Sequence, residues 1–305
     1  MPERWILFVV GLTALTASLI AGLSARQRGR RVAIAVIALC LVPVLLRATF
    51  SLFPGLEFRF LCLDGYAILR PWWTVPFAIA LFITASPHMS SRLSRSGLVG
   101  LGLILWLSGT DRLLATARFD PSGLDGVVDA DGVCRQTTDY SCGAATAATL
   151  LHAYGVRSDE REMAELCWTN SFTGTDELCI ARGLRRKLSG SGLEPQLEIG
   201  TWEELRAWGE PAAVTIKYRL FVDHWVVVLD ADDEQVTLGD PIAGRLQISK
   251  EVFLELWRGR MVILRPAEPA GAHRCVFRGL APQSPPVRGK AADDSPRRAR
   301  SRSGP

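Results

Sequence analysis

The 305-residue chain is poor in the residues that most chemistry needs. It has only four histidines, His88, His152, His224 and His273. Its seven cysteines are scattered, with no Cys-x-x-Cys pair. That spacing excludes an ordinary zinc site, so no metal and no cofactor is expected. No Gly-x-x-x-x-Gly-Lys-Ser/Thr phosphate loop is present, which excludes an ATP-binding cassette within these residues. The net charge is a modest +4. Much of the positive charge falls in short loops between apolar runs and in the tail, so a nucleic-acid groove is not expected.

Apolar residues are abundant, at 48% of the chain, and they concentrate at the front. Residues 5–23 carry no charge and are long enough to span a bilayer. Such a core is long for a cleaved signal peptide, and further apolar runs follow at 32–46, 72–86 and 98–108. Trp72 and Trp73 suit a membrane interface. The run at 98–108 is the weakest, and spans only if it continues through Asp111 and Arg112 towards Ala117. Residues 1–117 are therefore read as an all-α transmembrane region of about four helices, with the lipid bilayer as partner. The loop at 25–31 carries Arg26, Arg28, Arg30 and Arg31, and the loop at 87–97 carries Arg92 and Arg95. The intervening loop dilutes Arg47, Arg59 and Arg70 with Glu57 and Asp64. Basic loops face the cytoplasm, which puts the remainder of the chain outside after four spans, or in the cytoplasm if the fourth run only rests on the membrane.

Residues 118–266 read as a second domain. Turn signals at 118–132 lead to a short strand near Val127 and Val128. A small-residue helix begins at Cys142-Gly143 and stops at Gly155. Helices follow from Ser158 and from Thr175. The latter presents Arg182, Arg185, Arg186 and Lys187 on a face open to solvent, an acidic substrate segment or lipid headgroups. Thr201 and Glu204 form a capping box for another short helix. Strands are expected at 212–218, 225–230, 235–238, 245–248 and 261–265, with a helix at 250–257. Helices first and an antiparallel sheet afterwards make an α+β domain. The Pro-, Ala-, Arg- and Ser-rich residues 267–305 read as a disordered basic tail.

Four residues in this domain fit one chemistry. Cys142 opens a helix, where unpaired N–H groups and the dipole favour a thiolate. His152 is nearly three turns along the same helix, His88 lies between apolar segments and His273 is in the tail. His224, at the start of the β-branched run His-Trp-Val-Val-Val-Leu, remains as the base. Asp240 of Gly-Asp-Pro ends the next strand, where antiparallel pairing brings it beside His224. Gln136, six residues before the cysteine, supplies an N–H to a developing oxyanion.

The order Gln…Cys-Gly-x-Ala, His-Trp-Val-Val-Val and Asp-Pro resembles the C39 family of papain-like cysteine peptidases, the double-glycine leader peptidases of bacteriocin export, over roughly residues 127–265. By that resemblance Cys142 is the nucleophile, His224 the base, Asp240 its orienter and Gln136 the oxyanion donor. It implies a membrane-anchored enzyme that cleaves a peptide or protein substrate after small residues, with separate export machinery as a partner. Ser141 departs from the Asp that many members carry before the cysteine. Tyr140, Gly143 and Trp225 adjoin the catalytic residues and are expected to line the substrate cleft, although Tyr140 and Trp225 equally suit the core. Two other readings use the same residues: a peptide-binding module without turnover, and a papain-like amidase or acyl transferase. Cys134 is either a thiol able to trap the nucleophile as a disulfide or a buried one. Cys167 and Cys179 are close enough in sequence to pair.

Overall fold

The computed structural model describes residues 2–60, 64–220 and 222–267; the tail expectation beyond residue 267 lies outside them. The front of the chain folds as α1 (Pro2–Gln27), α2 (Arg30–Leu52), α3 (Pro54–Phe60), α4 (Asp64–Leu69), α5 (Val75–Ala85) and α6 (Arg92–Arg118). Among the described residues, α1, α2 and α6 are long and apolar enough to cross a membrane. The two weaker sequence segments therefore exchange rank. The third is only the 11 residues of α5, extended by a 3₁₀ turn at Ser86–His88. At 1.5 Å per residue α5 is about 17 Å long, short of the ~30 Å hydrocarbon layer. It lies amid α1, α2 and α6, with Ile79 and Ile83 fully buried. The fourth is an unbroken helix of 27 residues that passes straight through Asp111 and Arg112.

The glycines of α6 explain its place. A Cβ at Gly102 would lie 2.9 Å from Ile83 Cδ1, and one at Gly109 would lie 3.0 Å from Leu15 Cδ1. Small residues let membrane helices approach closely where lipid offers no hydrophobic drive. The helices alternate in direction. Thr84 Oγ1 donates to Gly22 O at 3.5 Å at one end, and the Arg4 guanidinium donates to Thr116 O at 3.4 Å at the other. Both arginine-rich turns thus sit at the end of the bundle opposite the second domain.

That domain is built on a six-stranded antiparallel sheet of β1 (Leu193–Ile199), β2 (Ala212–Arg219), β3 (Val222–Ala231), β4 (Gln235–Asp240), β5 (Gly244–Ser249) and β6 (Trp257–Pro266), in the order β1-β6-β2-β3-β4-β5. Five helices accompany it: α7 (Cys142–Ala153), α8 (Glu160–Leu166), α9 (Glu177–Lys187), α10 (Trp202–Trp208) and α11 (Lys250–Leu256). Side chains alternate across a strand, and both faces of this sheet are covered. Ala213, Trp225 and Val227 pack with α7, α8 and α9, whereas Val214, Val226 and Val228 pack with Trp202, Leu205 and Phe253 of α10 and α11. The fold is α+β and papain-like. Thr201 and Glu204 form the expected capping box. β1 escaped the sequence reading because Pro195 interrupts it, and it is an edge strand, where proline is tolerated.

The two regions share one hydrophobic core, since Phe58 and Ala67 of α3 and α4 are buried with Ala144, Ile180 and Leu264. The basic face of α9 is divided: Arg186 is open to solvent, whereas the other three cations meet protein partners. Arg182 is buried and donates to Leu166 O, Arg185 pairs with Asp64 at 2.5 Å, and Lys187 pairs with Glu162 at 2.6 Å. Cys167 and Cys179 are both free and buried.

Candidate active site

Cys142 is the first residue of α7 and is half-buried, whereas Gly143 to Leu151 behind it are wholly buried. Ser141 shapes the approach to it. Its hydroxyl donates to Thr138 O at 3.0 Å and accepts from Thr138 N at 3.2 Å, closing a tight loop ahead of the helix. This turn does the local work at the position before the cysteine. Thr146, one turn into α7, donates to Trp225 O at 2.9 Å, which fixes the helix against β3, the strand that carries His224. A Cβ at Gly239 would lie 3.1 Å from Thr149 Cγ2, so the strand leading to Asp240 is also pressed onto α7.

His224 is buried, and its Nε2 lies 2.9 Å from Asp240 Oδ1. Cys142 is near enough to raise the pKa of the imidazole; with Nε2 directed at Asp240, Nδ1 is the nitrogen left for sulfur. Burial lowers the imidazole pKa, but Asp240 and Cys142 outweigh it and raise the value to about 9. Asp240 Oδ1 accepts further bonds from Ile242 N at 2.7 Å and Ala243 N at 3.3 Å. Burial works against its charge; His224 and these two N–H groups prevail and hold the carboxyl below its ordinary value. The arrangement keeps His224 protonated beside a sulfur that solvent can reach.

Gln136 reaches the same place from the other side. Its backbone N–H donates to Pro241 O at 3.0 Å, beside Asp240. Its side-chain Nε2 donates to Thr138 O at 2.6 Å, which leaves a second N–H on that nitrogen.

Of the three residues assigned to the cleft wall, two lie inside. The Trp225 ring is in the core and donates Nε1–H to Thr175 O at 3.1 Å. Gly143 is a contact point, since a Cβ there would come 2.7 Å from Thr175 Cβ. Tyr140 is half-buried, and its ring meets Phe119, just after α6, edge-on at 6.1 Å. The sequence reading missed Tyr218, whose half-exposed ring lies 5.4 Å from the His224 imidazole. The register Ile216↔His224 brings Tyr218 there across the β2–β3 turn; an aromatic two residues beyond the histidine's partner was the available signal. Cys134 is buried, donates to Gly126 O at 3.3 Å, and its thiol is pushed up to about 12, mainly by burial. It is an inert thiol.

A cysteine at the head of a buried helix, facing a carboxylate-paired histidine on an antiparallel sheet, defines the papain-like cysteine peptidases. Residues 131–269 match the model of the Peptidase C39 family, and the chain belongs to that family through this region. The same region is 31% identical, over 137 residues, to an uncharacterized protein of Methanothermobacter thermautotrophicus, covering 45% of this chain and 90% of that one. It is also 31% identical, over 131 residues, to the probable functional amyloid protease FapD of Pseudomonas fluorescens, covering 41% of this chain and 56% of FapD. Among solved structures, a double glycine motif protease from an AMS/PCAT transporter, in complex with the leader peptide, is similar at 24% identity and a TM-score of 0.39, over 44% of this chain and 91% of that one.

Proposed function

We propose that the chain is an integral-membrane cysteine endopeptidase that uses Cys142, His224, Asp240 and Gln136. The observation that carries this reading is the half-buried Cys142 at the head of α7, near enough to act on His224, whose Nε2 is held by Asp240 at 2.9 Å. The Cys142 thiolate attacks the carbonyl carbon of the scissile bond, and the carbonyl electrons move onto oxygen, where the second Nε2–H of Gln136 receives them. When the tetrahedral adduct collapses, the C–N bond breaks and imidazolium His224 gives its proton to the departing amine. Water then loses a proton to His224 as it attacks the thioester, and the thiolate leaves. Asp240 fixes the tautomer and orientation of the imidazole throughout. The family resemblance supports substrates with small residues, Gly-Gly or Gly-Ala, before the cut. The two arginine-rich turns at one end of the bundle support a cytoplasmic position for that end, and hence an extracytoplasmic catalytic unit.

The test is alkylation of the full chain in detergent micelles by iodoacetamide across pH, with Cys142→Ala and His224→Ala in parallel. One thiol should react at pH 6 faster than free cysteine, and both substitutions should remove that reaction. Absence of such a thiol in the folded wild-type chain would overturn the catalytic reading in favour of a peptide-binding module. Given the thiol, peptides differing only in the residues before the cut decide specificity: equal cleavage after bulky and small residues rejects the small-residue preference.

A further inference from the structure

The turn ahead of α9 packs against the neighbours of both halves of the catalytic pair. Thr175 meets Gly143, beside Cys142, at the 2.7 Å Cβ approach noted above, and its carbonyl accepts the indole N–H of Trp225, beside His224. The next two residues, Asp176 and Glu177, are held from outside the peptidase region. Arg70 Nη1 lies 3.3 Å from Asp176 Oδ2, and Arg70 Nη2 lies 3.1 Å from Glu177 Oε1. The same guanidinium is locked behind by Glu57, at 2.8 Å and 2.7 Å, a carboxylate that is fully buried and also bonded by Tyr66. Arg47 of α2 and Arg260 of β6 stand at 3.6 Å and 3.9 Å from Glu57 and Glu177 and complete the charge cluster.

These contacts belong to the segment between α2 and α5. Its Phe58 and Ala67 fill the core beside α7, and Ala67 O accepts from Cys179 Sγ at 3.5 Å. A buried ionic cluster of this kind is weak evidence for stability, because desolvation offsets most of the attraction; fixing one arrangement is its better-attested use.

We propose that Glu57, Phe58, Tyr66, Ala67 and Arg70 are a working part of the peptidase, and that Arg70 is a positioning residue which, through Asp176, Glu177 and Thr175, sets Cys142 and His224 in register. The proposal rests on the cysteine-peptidase reading above. In this enzyme the membrane region does more than anchor: it completes the catalytic unit, and residues 118–266 alone lack the clamp.

The test uses the full chain in lipid nanodiscs. The rate of Cys142 alkylation is measured from pH 5.5 to 9.5, alongside the thermal midpoint, for wild type, Arg70→Ala, Arg70→Lys and Glu177→Gln. Wild type should show a plateau of reactivity from the acidic side. Arg70→Ala should lose it, reacting about tenfold more slowly at pH 6 and rising only where an isolated thiol does, near pH 8.5. Arg70→Lys should restore part of the plateau, and the near-isosteric Glu177→Gln should show the loss in weaker form. If Arg70→Ala does not fold, Glu177→Gln decides. Folded variants that keep the wild-type profile overturn the proposal alone; a wild-type chain without the plateau overturns the peptidase reading and the proposal with it.

Discussion

At the scale of single residues, His224 sets the pH behaviour. Its pKa is raised to about 9, so the contribution of its charged form to stability is complete below the unfolded value of about 6.5 and is lost as the pH rises through about 9. Asp240, held low, contributes above its unfolded value of about 3.9 and loses that contribution only as the pH falls through its depressed folded pKa. Peptide hydrolysis should therefore show an alkaline limb near pH 9. Asp240→Asn removes the negative charge beside the imidazole and leaves only a neutral carbonyl acceptor, and should move that limb to lower pH; a limb unmoved in a kcat/KM profile would separate Asp240 from the imidazole's titration. Replacing His224 by alanine should lower kcat/KM by roughly 10³-fold or more. The pairing of His224 with Asp240 was legible in the chain, because few histidines competed and antiparallel strands bring the two positions together. Tyr218 was not, since nothing local marks it until the register of the β2–β3 hairpin is known. Trp225 illustrates the converse. Adjacency to His224 suggested a cleft, but neighbouring residues on a strand point to opposite faces, and its side chain fills the core beside α7.

At the scale of elements, close contacts decide what the sequence left open. Gly143 presses α7 against Thr175 with no room for a Cβ. Gly143→Ala should cost about 1–3 kcal/mol, the range for overpacking a tight core, and should slow Cys142 alkylation as well, because the strain falls beside the nucleophile. Thr201→Ala is its counterpart far from the site. Loss of the capping box should cost about 1 kcal/mol and leave Cys142 alkylation unchanged. Thermal melts and alkylation rates on the same preparations read both effects. The helices of the second domain were legible through caps and periodicity, and most strands through β-branched runs. β1 was not, because Pro195 argues against a strand unless it lies at an edge, and edge position is a property of the assembled sheet. The membrane helices misled for a related reason. Hydropathy ranked residues 72–86 above 98–108, but α5 is buried among its neighbours, and α6, whose score Asp111 and Arg112 lower, packs through glycines on which Ile83 and Leu15 rest.

At the scale of the molecule, the composition divides the chain into an apolar front and a mixed-polarity remainder, whereas the packing joins them. Phe58 and Ala67 lie in the core of the peptidase, and Arg4 near the start of α1 donates to Thr169 O at 3.1 Å, just ahead of the turn that Arg70 clamps. No sequence periodicity reports a contact between residues this far apart, and for this reason the boundary near residue 118 reads as a simple linker. The α1–α2 and α5–α6 turns lie at one end of the bundle and the second domain at the other, so a bundle that crosses a bilayer would place them on opposite sides. Single cysteines introduced in a chain otherwise alkylation-silent, at Gly29 in the first turn and at Glu234 in the exposed β3–β4 turn, should label with a membrane-impermeant maleimide from opposite sides of sealed vesicles. By the distribution of arginines, Gly29→Cys should react only from the cytoplasmic side and Glu234→Cys only from the other. Reaction of both from the same side would mean that α1, α2 and α6 do not cross the bilayer together in the observed bundle.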